Sequence, residues 1–352
     1  MAATTQQSDT KIATLGQKES HYGKSLFRDS MERLARNRFA FIGVIVIILN
    51  ILMAIFAGQI APKDYASQDL FSSNGAPRWV IDLFPTMTAK GDEGGYVKVL
   101  DAREYPLGTD QLGRDVLSRI IYGARVSLAV AIVGPVVATL VGVAVGLASG
   151  YLGGFVDSLL MRIVDVFYAV PTLLVIILMM TYFRSGAFSK PEMEGTLGGI
   201  MYLADRRMGG MLFIFIGVGL TSWIGLARLT RGQVLSVREQ DYILAARALG
   251  ANRLQIILKH VLPNIVGPLI VAETLAIPGY IRYEAFLSFI GLGVNPPTAS
   301  WGEMISTGAQ TISSYPFQAI FPALALFLFM FAFNFLGDGL RDAFDPRLRG
   351  ID

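Results

Sequence analysis

The sequence contains no cysteine, which excludes disulfides and thiolate metal sites. Its two histidines, His21 and His260, lie far apart and outside any HExxH context, so no metal or catalytic centre of the zinc-protease kind is expected. A GxxxxGK[ST] phosphate loop is also missing, so the chain is not expected to serve as an ATPase. Charge is scarce, at 16% of residues against about 25% in an ordinary globular domain. With 53% hydrophobic residues and a mean hydropathy of +0.51, that scarcity argues against a soluble fold. The net charge is only +3, and the basic residues gather beside apolar runs, so nothing supports nucleic-acid binding.

What the chain does have is long apolar runs. A helix needs roughly 20 consecutive apolar residues to cross a bilayer, and Phe39 to Ile60 supplies them without a charge. This run begins well inside the chain, follows a basic cluster and exceeds the length of a secretory h-region. It is therefore expected to be an uncleaved anchor rather than a signal peptide. Further runs at Val126 to Ser149, Phe155 to Phe183, Met211 to Ala227, Ile265 to Gly291 and Phe317 to Leu336 predict an all-α integral membrane protein of about six crossings.

Lysine and arginine set the orientation, because positive loops stay in the cytoplasm. Lys24, Arg28, Arg33, Arg36 and Arg38 precede the first run. Arg228, Arg231, Arg238, Arg247, Arg253 and Lys259 separate the fourth from the fifth, and Arg341, Arg347 and Arg349 follow the last. Leu292 to Pro316 has no lysine or arginine, so both termini are expected inside. The expected organisation is a cytoplasmic tail and interfacial amphipathic helix over 1–38 and a first transmembrane helix over 39–60. An extracytoplasmic loop with a membrane-edge helix over 61–125 follows, then a core of five transmembrane helices over 126–340 with a helix pair at 239–264, and a cytoplasmic tail over 341–352. Met1 to Gly23 reads as a mobile tail, and the amphipathic helix spans Lys24 to Arg38. No role is assigned to Ser67 through Glu104.

Glu239 to Asn264 is the most informative stretch. Tyr242, Ala245, Ala246 and Leu249 recur at helical spacing and predict a short helix with a small, apolar face. Gly250 is expected to end it in a left-handed turn. Asn252 and Gln255 then have the spacing of a capping box for a second helix, with Leu254, Ile257, Leu258 and Val261 on its apolar face and Pro263 as its stop. Periodicity alone leaves open whether this helix pair is a functional knob or a well-capped connection.

The stretch resembles the EAA loop of ATP-binding-cassette (ABC) importer permeases, in which Glu-Ala-Ala is followed by a spaced Gly and then by Ile-x-Leu-Pro. Ala245, Ala246, Gly250, Leu262 and Pro263 occupy matching positions, whereas Leu244 replaces the Glu and His260 the Ile. No charged contact is therefore implied at Leu244. Pro106 to Leu128, LSFIGLGVNPPTASW before and including Trp301, and Asp345-Pro346-Arg347-Leu348-Arg349 are similar to the C-type permeases of dipeptide and oligopeptide importers.

The resemblance implies a type I ABC importer permease fold, non-catalytic itself, in a bacterial cell membrane. It implies a second homologous permease subunit, two ABC ATPases that hold ATP and Mg, and an extracytoplasmic substrate-binding protein as partners. No cofactor is implied on this chain. Ala245, Ala246, Gly250, Leu262 and Pro263 would couple to the ATPases, and the cargo would be di- or oligopeptides. Nickel, glutathione or oligosaccharide is the alternative cargo, and a secondary transporter without an ATPase the alternative class.

Charges within apolar runs are costly and usually face protein or water. Arg162 is expected to pair with Asp165, and Asp115 with Arg119 at i, i+4. Glu273, Arg282 and Glu284 lie in the fifth run beside Pro278 and Gly279, which are expected to interrupt its helix. They either line a translocation path or form an ion pair, such as Arg282 with Glu284.

Overall fold

The computed structural model describes residues 26–92, 94–184, 188 and 195–344. The expected N-terminal tail and the Asp345 to Arg349 motif lie outside these residues.

A short helix α1 (Leu26–Arg36) leads into α2 (Arg38–Ile55), with Asn37 as the break between them. The Asn37 side-chain oxygen accepts from the Phe39 and Ala40 amides, which caps α2 and fixes where the membrane helix starts. α2 carries exposed Phe41, Ile45, Ile48 and Leu52, an apolar face left open by the described residues of this chain. Its opposite side meets the last helix so closely that a Cβ on Gly43 would lie 2.6 Å from the Ala332 carbonyl oxygen.

The segment expected to be an extracytoplasmic loop contains a folded lobe. Strands β1 (Ala76–Pro77) and β2 (Val99–Leu100) pair in parallel, and α3 (Arg78–Leu83) buries Val80 and Ile81. Ala76, Val80, Met87 and Val97 share one core with Trp301, Phe317 and Phe329, so the lobe is seated on the outer ends of the bundle helices.

The expected division at residue 125 does not exist. One continuous helix, α4 (Val116–Leu152), contains both the membrane-edge segment and the second crossing. At 1.5 Å per residue its 37 residues reach about 55 Å, well beyond the roughly 30 Å hydrocarbon layer, so its start is built into the lobe. Asp115 caps it by accepting the Ser118 amide at 2.7 Å. Pro135 does not end it, and a π-helical stretch at Ala138–Val143 follows.

The third apolar run is not one straight helix. α5 (Gly154–Ala169) and α6 (Thr172–Phe183) meet at a 72° bend where Val170 is extended before Pro171, as the steric clash of a following proline favours. Among the described residues, five helices are long and apolar enough to cross alone, and the bent pair makes six. α7 (Leu197–Arg207) lies between α6 and α8 (Leu212–Val237). Short α9 (Asp241–Ala248) precedes α10 (Arg253–Phe289), and α11 (Trp301–Ala309) precedes α12 (Phe317–Phe344).

Pro263 was expected to stop a short helix, yet α10 runs through it, and through Pro268 and Pro278, without interruption. A π-helical turn at Ile257–Val261 directly before Pro263 relieves the clash that a proline ring makes with the carbonyl four residues back. With its crossings even in number, the arginine-rich ends of α8, α10 and α12 share the cytoplasmic side with α1.

Candidate functional site

The turn between α9 and α10 is locked at both helix ends. Gly250 adopts φ +85°, and the amides of Gly250 and Ala251 bond back to the carbonyls of Arg247 and Ala246, both at 3.1 Å. This is the pair of bonds that ends a helix in a left-handed residue. Asn252 and Gln255 then exchange reciprocal side-chain to backbone bonds of 2.8 and 3.0 Å. The connection is therefore a rigid corner rather than a free loop.

The faces of this corner differ from the expected ones. Tyr242, Ala245 and Leu249 are exposed, with Leu249 at 88%, while the unremarked Ile243 is fully buried. On α10 the expected apolar face is likewise split, since Leu254 and Leu258 are exposed, Ile257 half-buried and Val261 buried, while Ile256, outside that face, is buried too. Ile243 and Ile256 join Val234, Ile265 and Leu269 in one core, which anchors the corner to the bundle. Ala246 and Leu262 are half-buried, and Gly250 and Pro263 face out. Tyr242, Leu244, Leu249, Leu254 and Leu258 are thus left exposed among the described residues, Leu249 the most.

Arginines of α8 tie the corner to neighbouring helices. Arg231 grips Asp157 of α5 with two bonds of 2.6 and 2.7 Å, and Arg238 donates to the Gly150 carbonyl at 2.8 Å. Asp165 pairs with Arg228 of the facing helix at 2.6 Å and not with Arg162. Behind these pairs, α4 packs on α8 through Gly142, Gly146 and Gly150. A Cβ on Gly146 would lie 2.6 Å from the Ala227 carbonyl oxygen. This stripe was overlooked in the sequence, although its four-residue spacing of glycines in an apolar helix is the signal for close helix contact.

The acids of α10 separate into two environments. Glu273 lies on the shared rim of two cavities within the apolar span, of about 390 and 560 Å³. The Tyr280 hydroxyl donates to its Oε2 at 3.4 Å. Glu284 lines neither cavity. It is fully buried, accepts the Ser288 hydroxyl at 2.8 Å, and leaves Oε2 without a partner. The expected Arg282 to Glu284 pair does not form. Residues two apart on a helix face different sides, so Arg282 is exposed while Glu284 points inward. Gly279 and Pro278 do not break the helix.

On the extracytoplasmic side the two remaining sequence motifs meet. Arg119 donates to Glu303 at 2.7 Å and lies 3.6 Å from Asp110, instead of pairing with Asp115, whose carboxylate is taken up as the cap of α4. Trp301 donates to the Ile120 carbonyl at 2.9 Å, and Gln318 ties Asn74 and the Thr109 carbonyl to α12, each at 2.9 Å.

The model of the family described as binding-protein-dependent transport system inner membrane component matches residues 142–350. A second model, the N-terminal TM domain of oligopeptide transport permease C, matches residues 25–77. The chain belongs to this family of transport permeases. It is 38% identical to the oligopeptide transport system permease protein OppC of Bacillus subtilis, over 95% of this chain and 93% of that one. It is 37% identical to the dipeptide transport system permease protein DppC of the same organism, over 92% and 87%. OppC of Escherichia coli is 36% identical, over 93% of each chain. A structural likeness to the MetNI methionine ABC transporter covers 64% of this chain and 97% of that one, with a TM-score of 0.48 at 19% identity. The permease is an all-α, multi-pass cell-membrane protein and a subunit of an ABC transport system.

Proposed function

We propose that this permease forms half of a translocation path for di- or oligopeptides and is driven through the α9–α10 corner. Its complement is a second homologous permease, two cytoplasmic ATPases that bind ATP and Mg, and an extracytoplasmic substrate-binding protein. This chain contributes no catalytic group and holds no cofactor of its own. The relatives' names supply the cargo class. The outward apolar face of a corner locked at both helix ends carries the coupling reading.

A displacement applied to Leu249 or Ala246 passes into α10 because the capped turn cannot bend. Ile243 and Ile256 convey it to the bundle core. For nucleotide to reverse the access of the cavity, each nucleotide state of the ATPases must bind the two bundle arrangements with different affinity. Ala245, Ala246, Gly250, Leu262 and Pro263 are assigned to this contact.

The test is reconstitution of the complete assembly in lipid vesicles with a labelled tripeptide. ATP-dependent uptake that is lost when Ala246 is replaced by Trp, together with loss of ATPase co-purification, is the expected result. Full uptake and full association by Ala246→Trp would remove the corner from the mechanism.

A further inference from the structure

We infer that Glu273 is a cation-recognising subsite in the translocation path, which takes the terminal ammonium group of a passing peptide. The inference rests on the peptide reading above and names the group within the path that meets the cargo.

The cavity of about 390 Å³ lies between α6, α8 and α10, and its polar lining comprises Thr172, Thr221, Ser222, Glu273, Tyr280 and Tyr283. Two of these have unspent hydrogen-bonding capacity. Ser222 is 8% exposed, yet its Oγ has no partner among the described residues. Glu273 has one hydrogen bond, the long one from Tyr280. Thr221 is different, since its hydroxyl is satisfied by the Gly217 and Val218 carbonyls of its own helix.

The other described acids of the bundle interior sit differently. Asp157 has Arg231, Asp205 has Arg184, and Glu284 is sealed against Ser288 with no cavity beside it. Asp205 also lines a cavity but does so with its arginine, whereas Glu273 opens onto free volume and no Lys or Arg of the described residues forms an ion pair with it. A carboxylate kept in an apolar span is costly unless a positive partner or water reaches it. An acidic acceptor with a phenol beside it matches a primary ammonium, which has three donors and no acceptor. Gly225, on the same wall, leaves open space where a side chain would intrude, so a chain-like ligand has room to lie alongside.

The experiment uses the complete importer in vesicles with tri-alanine and N-acetyl-tri-alanine, each at a concentration that saturates the binding protein. Glu273→Gln is nearly isosteric, and Glu273→Asp retains the charge as a control. Glu273→Gln is expected to lower the saturated uptake rate of tri-alanine at least fivefold and that of the acetylated peptide less than twofold, with Glu273→Asp intermediate for tri-alanine. Tri-alanine uptake by Glu273→Gln within twofold of wild type overturns the subsite, as does an equal fall for both peptides. Loss of the second permease on purification of Glu273→Gln also overturns it, because the carboxylate would then be an ion-pair partner between subunits. If the wild-type assembly takes up neither peptide, the peptide reading fails and the subsite fails with it.

Discussion

Arg119, near the start of α4, is bonded to Glu303 of α11 across 184 positions of sequence. The Trp301 indole, two residues before Glu303, is bonded to the carbonyl directly after Arg119. These contacts bring the Pro106 to Leu128 segment and the Phe286 to Trp301 segment together as one structural unit. That unit clamps the outer lobe to the ends of α4, α11 and α12.

Glu303→Gln should therefore loosen the lobe. The Arg119 side chain is 2% exposed, and Asp110 at 3.6 Å is the acid that remains to it. Removing one member of a buried pair costs about 3 kcal/mol. Thermal unfolding of the detergent-solubilised permease should show a clear drop for Glu303→Gln. Arg119→Met combined with Glu303→Leu should regain part of the loss, because no charge is then stranded. A double variant worse than either single change by the sum of both would contradict this account.

Asp115 gives the lobe a pH dependence of defined sign. Burial pushes its carboxyl above the usual carboxylate range, against the Ser118 hydrogen bonds that pull the other way. The folded state then holds the Asp115 proton more tightly than the unfolded state. The associated stability is complete at low pH and is lost as pH rises through the raised value. Asp115→Asn cannot ionise and still caps α4. Its melting temperature should match wild type near pH 4 and exceed it increasingly as pH rises through the raised value, beyond which the gap stays constant. A gap that narrows with rising pH would mean the charged form is favoured in the lobe.

The legibility of this molecule divides by the range of the interactions involved. Apolar runs, the arginine-free Leu292 to Pro316 and the cap at Asn252 and Gln255 depend on neighbours within a few residues, so the sequence displays them directly. Arg119 could not be assigned the same way. The nearest acid at helical spacing is Asp115, but its Oδ2 accepts the Ser118 amide as the helix cap, and the true partner depends on how distant helices meet. Prolines show the same limit. Pro171 bends a crossing by 72° while Pro263, Pro268 and Pro278 leave α10 whole, because neighbouring helices and a π-helical turn decide whether the freed carbonyls find partners. Glu273 and Glu284 are alike in composition and differ only in whether the packed bundle leaves space beside them.

The glycine stripe of α4 predicts a position-specific effect. Gly146→Val would drive a side chain into Thr230 and the Ala227 carbonyl, and overpacking of this kind costs about 1–3 kcal/mol. Gly232 on α8 has open space around it, so Gly232→Ala should leave the protein as stable as wild type. Side-by-side thermal stability of the two purified variants checks the contrast, and equal stability would remove the close α4–α8 contact.

The two sides of the α9 helix should respond oppositely to truncation. Ile243 is fully buried in the core that includes Val234 and Ile265. Ile243→Ala should therefore destabilise the isolated permease by about 2–5 kcal/mol. Leu249 is 88% exposed, so Leu249→Ala should leave the unfolding temperature of the isolated permease unchanged. In the assembled importer the order reverses if the outward face is a docking surface. Leu249→Ala should weaken capture of the ATPase subunits roughly tenfold or more, as loss of a buried apolar anchor does at an interface hot spot. Gly250→Val provides a third case, because φ +85° suits glycine and costs a β-branched residue about 1–2 kcal/mol. That variant should keep its helices by circular dichroism yet lose coupling, with ATP hydrolysis continuing while uptake stops. Normal ATPase capture by Leu249→Ala would mean that the exposed leucines are covered by lipid headgroups or another subunit, and the force would then have to enter the bundle elsewhere.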